Sequence, residues 1–279
     1  DSEAALPHLL AALDDADPWV RYFAARSIGR HAGDEGLDVL GRVAQADPVG
    51  FARVAAIEAI GQIGGARAVA ILVPLIEAGD RDLSRAALGA LGATRHPDAL
   101  PPLLTALRSP DVARREDAIR ALRDHGGTGI AASLQWVAAA DADAQVAQAA
   151  IDSLSGLATP EAIAALTELT ADASRREACV AALAQLSKDR IDSIAQGLKH
   201  AHAGVRCAII DVLARMKHPR ASELLSLALD DGEASVRLAA ATALGHLGSH
   251  FAEKKLSSLA RTDLDVAVRR AAQKSLEKL

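Results

Sequence analysis

The side chains best suited to hold a metal or to attack a substrate are nine histidines and two cysteines. His31, His96, His125, His218 and His246 each follow an apolar stretch, and such stretches recur about every 31 residues. Packed helices sit ~8–10 Å apart, so histidines several segments apart cannot share an ion. His200 and His202 are close in sequence, as are His246 and His250, but no carboxylate or cysteine spacing completes a tetrahedral set. All are read as surface or turn histidines. Cys179 and Cys207 fall at non-equivalent positions of neighbouring segments, which predicts no disulfide and favours a reducing compartment. No Gly-rich phosphate loop, nucleophile elbow or Cys-x-x-Cys is present. The expectation is a protein with no catalytic residues, no metal and no cofactor, and hence not an enzyme.

Charge, by contrast, recurs in register. Arg21, Arg53, Arg115, Arg176, Arg206, Arg237 and Arg269 share one slot, which Ser84 and Ala147 fill otherwise. Four positions earlier stand Asp17, Asp80, Asp111, Asp143, Asp172, Glu233 and Asp265, with Val49 and His202 as exceptions. Acid and base at fixed slots predict a structural ladder of partly buried, charge-assisted bonds within and between segments, holding turn against helix.

The elements that carry this ladder are helices. Ser235–Gly248, SVRLAAATALGHLG, is the clearest copy of a unit whose looser copies are Val20–Ala32, Ala52–Gly64 and Val205–Lys217. Each unit reads as two amphipathic helices. In the first unit Leu6, Leu9, Leu10 and Leu13 take the spacing of one buried stripe. Asp17 then caps a second helix that Pro18 opens. Later second helices are predicted to begin near Pro48, Asp82, Pro110, Asp143, Ser174, Gly204, Ala234 and Asp265. Their closing apolar residues are Ile28, Ile60, Leu91, Leu122, Leu154, Leu183, Leu213, Leu244 and Leu276. Ala24, Ala56, Ala118, Ala150 and Ala240 occupy one slot, where a larger side chain would force helices apart. Gly29, Gly61, Gly92 and Gly245 are read as helix-ending glycines.

Nine units of about 31 residues account for all 279 positions, at roughly 1–32, 33–64, 65–95, 96–127, 128–159, 160–187, 188–218, 219–249 and 250–279. A single helix pair cannot bury both its stripes, so units stack into one core. The predicted fold is an all-α single array, an α-solenoid wound as a right-handed superhelix. The motif Asp-x-x-Val-Arg-x-x-Ala-Ala-x-Ala-Leu-Gly on such a pair resembles the short HEAT-like repeats of bacteria, the subtype also found in phycobilisome bilin lyases. That resemblance implies that the helix opening with Val-Arg lines a concave face where ligands or partner proteins dock. It brings in two enzymatic relatives. Deoxyhypusine hydroxylase builds its iron site from His-Glu pairs, and this sequence contains no His-Glu dipeptide. Bilin lyases imply a tetrapyrrole in the groove, yet no ring of basic residues for its propionates is evident.

Composition narrows the partners. Net charge is −5 with the signs interleaved, which argues against nucleic acid, and no 18-residue apolar run offers a membrane span. All seven lysines lie between Lys188 and Lys278, and the basic last unit is read as a solvated cap. A start at Asp1 without a signal-peptide pattern is what an excised domain would give.

What distinguishes the units is the exposed ridge of their second helices. It runs from aromatic and basic at Tyr22, Arg26 and Arg30, through Val54, Glu58 and Gln62, to basic at Arg270, Lys274 and Lys278. Four of the six aromatics lie between Trp19 and Phe51, and aromatics with Arg are the residues most enriched in binding hot spots. Trp19, Tyr22, Phe23, Arg26, Arg30 and Phe51 therefore form either a partner-binding patch or a seal over the end of the stack. Trp136 is read as core packing at a Leu10-equivalent slot. The functional expectation is a non-enzymatic cytoplasmic scaffold that binds a protein or peptide segment along its second helices. The alternative is a lyase-like or chaperone-like factor handling a tetrapyrrole.

Overall fold

Alanine and leucine, which supply much of the apolar half of the sequence, are the strongest helix formers. The computed structural model describes residues 2–31 and 33–279. Asp1 and Ala32, the expected limits of the first unit, lie outside them. Among the described residues there are eighteen α-helices and no strand. In chain order they begin with α1 (Ser2–Ala12), α2 (Pro18–His31), α3 (Leu37–Ala46), α4 (Gly50–Ile63), α5 (Gly65–Leu72), α6 (Arg81–Thr94), α7 (Leu100–Ala106), α8 (Val112–His125) and α9 (Ile130–Ala140). There follow α10 (Ala144–Leu157), α11 (Pro160–Leu169), α12 (Arg176–Ala184), α13 (Ile191–Ala195), α14 (Ala203–Met216), α15 (Ala221–Leu227), α16 (Ala234–Leu247), α17 (Glu253–Thr262) and α18 (Val266–Leu276). Even-numbered helices are the second helices of the sequence repeat.

The two kinds of helix differ in regularity. Helices α2, α4, α6, α8, α10, α14 and α16 each run 14 residues. Several first helices are shorter and open or close in a 3₁₀ turn, because proline or glycine interrupts them. Pro74 sits in the turn Val73–Glu77 after α5, Pro97 opens the turn before α7, and Gly197 lies in the turn after α13.

The chain divides into two compact bodies, residues 1–133 with 143–149 and residues 134–142 with 150–279. In the first, α2 packs on α4, α4 on α6 and α6 on α8, while α1, α3, α5 and α7 each back their own second helix. In the second, α12 packs on α14, α14 on α16 and α16 on α18. The expected alanine slot is buried at Ala24, Ala56, Ala118, Ala150 and Ala240. The closing residues from Ile28 to Leu244 are fully buried, and Leu276 is half-buried.

Three expectations need correction. Gly29, Gly61, Gly92 and Gly245 do not end helices; they lie inside α2, α4, α6 and α16. A Cβ on Gly29 would stand 2.7 Å from the Cα of Ala59, and one on Gly61 2.8 Å from the Cα of Ala90. These glycines, with Gly92 over Ala121 and Gly245 over Ser275, let successive second helices touch backbone to backbone. The left-handed C-caps are instead Gly126, Gly248, Arg95 and Lys217. Trp136 is not core: it is 57% exposed. Helix α9 buries Ile130, Leu134, Val137 and Ala138, a stripe at helical spacing, and Trp136 lies on the far side, two residues from Leu134 and from Ala138.

The third correction concerns the ladder. The acid four residues before each arginine does not pair with it. Asp80, Asp111 and Asp265 are N-caps, accepting backbone N–H bonds from the first turns of α6, α8 and α18. Asp17, Asp143 and Asp172 accept from the amides two residues on. The arginines turn to the carbonyls of their own turn: Arg21 donates to Asp15 O at 2.8 Å, Arg115 to Ser109 O at 2.9 Å, Arg206 to His200 O at 2.8 Å and Arg237 to Asp231 O at 2.8 Å. Arg53 reaches Ala44 O, Arg176 reaches Thr170 O and Arg269 reaches Asp263 O. In three units the guanidinium forks onto an aspartate of the next unit, six residues before that unit's own ladder slot. Arg21 pairs with Asp47, Arg206 with Asp231 and Arg237 with Asp263, at 2.6 to 3.0 Å. The ladder thus joins turn to helix and unit to unit, through a different acid slot.

Candidate interaction groove

The ridge of exposed and half-buried positions on each second helix follows the i, i+3, i+7 spacing of one helix face. On α2 it carries Trp19, Tyr22 and Arg26, on α4 Phe51, Val54 and Glu58, and on α6 Asp82, Arg85 and Gly89. Their opposite faces bury the Ala, Ile and Leu slots that clamp the helices together, so these side chains have nowhere to turn but outward.

The rings gather as their equivalent slots require. Trp19 and Phe51 stack at 4.6 Å between centroids, and Tyr22 meets Trp19 edge-on at 5.7 Å and Phe51 at 5.9 Å. Phe23 stands edge-on to Tyr22 at 5.1 Å. Such pairs add about 0.5–1.5 kcal/mol each beyond area burial, which fixes the cluster. Arg26 donates to the Tyr22 hydroxyl at 3.0 Å with its guanidinium 5.5 Å from the ring centroid. Five of the six predicted patch residues are therefore one cluster. Arg30, a turn further on, is exposed and no ring contact brings it in. Trp19 remains 56% exposed and Phe23 58%.

Beside the rings opens a cavity of about 640 Å³, lined by Tyr22, Phe51, Val54, Glu58, Asp80, Asp82, Leu83, Arg85, Ala86, Gly89 and Ala90. Its size falls in the ~300–1,000 Å³ range of ligand clefts. The third wall, on α6, escaped the sequence reading. Counting the ridge slots through the third unit would have found Arg85 and Gly89. Gly89 takes the slot of Arg26 and Glu58, and a Cβ placed there would meet nothing within 4 Å.

None of the cysteines or histidines lines this cavity. Burial pushes the Cys179 thiol up to about 12, and burial also raises Cys207, the opposite of an activated thiolate. Both are free. His125 is neither a turn nor a surface histidine: it is the last residue of α8 and is buried, with Nε2 2.9 Å from His96 O, which ties the ends of two units together. In the second body, Arg215 on α14 bridges Glu177 of α12 and Asp211, and its hydrogen bond holds the Glu177 carboxyl below its usual range. Among the described residues no three of His, Cys, Asp and Glu are placed to hold a metal. No described helix is long and apolar enough to cross a membrane.

Helix pairs repeating in this register match the family model for HEAT repeats over residues 6–87, 51–123, 72–139 and 191–277. The chain belongs to the HEAT-repeat family. Among solved structures, this HEAT-repeat chain is similar to human deoxyhypusine hydroxylase in complex with glycerol, at 21% identity over 90% of this chain and 98% of that one, with a TM-score of 0.41. It is similar to the CpcE–CpcF complex of phycocyanin lyase from Nostoc sp. PCC7120 at 19% identity over 98% and 94%, TM-score 0.34. A structure of Kap95p with RanGDP matches at 12% identity over 98% of this chain and 44% of that one, TM-score 0.46. No curated protein sequence matches the chain.

Proposed function

We propose that this HEAT-repeat protein is a non-enzymatic, cytoplasmic scaffold that binds a segment of a protein partner in the groove across α2, α4 and α6. The observation that carries this reading is the ring cluster beside the cavity. Trp19 and Phe23 pack on aromatic neighbours yet leave more than half their surface to water. Rings spent on sealing the end of a stack would lose that surface. Large rigid aromatics beside a preformed cleft supply contact area at little entropic cost, the property that makes such residues hot spots. The two unpaired thiols fit a reducing compartment. Carboxylates at Glu58, Asp80 and Asp82 in the lining run against docking the acid groups of a tetrapyrrole, and the net charge of −5 runs against nucleic acid.

The test is a titration of a captured partner against the double variant Trp19→Ala/Tyr22→Ala. The expected result is a loss of at least tenfold in affinity with unchanged helicity, because truncating two clustered hot spots typically costs ≥2 kcal/mol. Unchanged affinity would remove the patch.

A further inference from the structure

The groove has a chemical bias that its aromatics alone do not convey. Three features of its lining point the same way. First, its charge is lopsided: Glu58, Asp80 and Asp82 face a single cation, Arg85. That cation is already drawn towards Asp82, at 3.8 Å, and Asp80 is committed to the amides of Asp82 and Leu83 as an N-cap. Second, Glu58 on α4 is exposed and has no partner among the described residues. Three other ridge charges do have partners: Arg26 bonds Tyr22, Arg120 pairs with Asp117, and Arg215 pairs with Glu177 and Asp211. Third, Gly89 lies in mid-helix, where glycine is disfavoured, without a positive φ and without a neighbour that needs the space. What the missing side chain does is keep the floor of the groove open beside Glu58, over the apolar atoms of Val54, Ala86 and Ala90.

An unpaired carboxylate above an apolar trough, with exposed rings at one end, matches a long aliphatic stem that ends in a positive charge. Lysine and arginine side chains lay their methylenes on apolar surface while the head seeks an anion. Resting on the scaffold reading above, we infer that the bound segment is a cationic one: it lays a Lys or Arg in the trough with its head on Glu58 and sets an adjacent apolar residue against Trp19 and Phe51. Glu58 selects the charge and Gly89 admits the stem.

Random dodecapeptides displayed on phage are selected against the full chain, and the recovered peptides are synthesised and titrated by fluorescence anisotropy. Recovered peptides should carry a Lys or Arg next to an aliphatic or aromatic residue. Gly89→Leu, which fills the trough, and Glu58→Lys should each weaken them at least tenfold, and Glu58→Gln several-fold. A peptide whose cation is changed to Glu should regain affinity for the Glu58→Lys variant. Both positions are exposed, so circular dichroism should show unchanged folding. Peptides that lose affinity to Trp19→Ala/Tyr22→Ala but show no basic enrichment and ignore Glu58→Lys would overturn the cationic inference and leave the groove standing. Peptides indifferent to the ring and Glu58 variants alike, or none recovered, would overturn both.

Discussion

At the scale of single residues, three ladder arginines, Arg21, Arg206 and Arg237, each bind both the carbonyls of their own turn and an aspartate of the next unit. Arg237 places Nε and Nη2 on the two oxygens of Asp263 at 2.8 and 3.0 Å, and Nη1 on the carbonyls of Asp231 and Gly232 at 2.8 and 3.1 Å. Both side chains of the pair are largely buried. The hydrogen bond from Arg237, helped by the Asp265 amide, holds the Asp263 carboxyl below its usual range against the opposing effect of burial. A carboxyl depressed in the folded state contributes its full stabilisation above its unfolded value of about 3.9, and loses it as the pH falls through that value towards the folded one. Asp263→Asn should therefore cost about 1.5–3 kcal/mol at pH 7, the scale of a hydrogen bond to a charged group, and much less at pH 3. Urea melts at both pH values measure this, and an equal deficit at pH 3 and pH 7 contradicts it. The arginine slot was legible in the sequence because it repeats. Its partner was not, because Asp47, Asp231 and Asp263 recur in only some units, while the more regular acid at Asp80 or Asp111 is doing an N-cap's work.

At the scale of elements, two glycines three residues apart on α6 have opposite meanings. A Cβ on Gly92 would collide with the carbonyl oxygen and Cα of Ala121 on α8, whereas one on Gly89 would meet open space. Removing a mid-helix glycine recovers about 0.5–1 kcal/mol when nothing blocks the methyl. Gly89→Ala should thus stabilise the protein by that amount. Gly92→Ala should destabilise it, by about 1–3 kcal/mol, since α6 and α8 must part to admit a methyl against backbone. Paired thermal melts decide the matter, and shifts of the same sign in both variants would show that the helix contact is looser than its geometry. Helix positions were legible from the apolar period: second helices begin within about two residues of where Pro48, Asp82, Pro110 and Ala234 place them. The role of the glycines was not. A glycine near a helix end reads as a stop signal by itself, and only the neighbouring helix makes it a contact. Trp136 misled for the same reason, since aligning slots across irregular first helices slips easily by a residue, and one residue turns a helix face through about 100°.

At the scale of the whole molecule, stability in a repeat array is carried by contacts between consecutive units. In the first body the path is α2 to α4 to α6 to α8; in the second it is α12 to α14 to α16 to α18. A strained contact should therefore loosen its own neighbourhood first, and a contact several units away should not feel it. Gly61→Val tests this, because a Cβ at Gly61 already stands 2.8 Å from the Cα and carbonyl oxygen of Ala90. Hydrogen exchange followed by mass spectrometry should show protection in α4 and α6 falling about tenfold or more, as expected of local opening, with α16 and α18 unchanged. Protection lost evenly along the chain would mean that the protein opens as one cooperative unit instead. The same locality explains how a repeat fold can host a specific groove. The slots that bind unit to unit at Ala56 and Ile60 lie on one side of α4, and Phe51, Val54 and Glu58 on the other are left out of that packing.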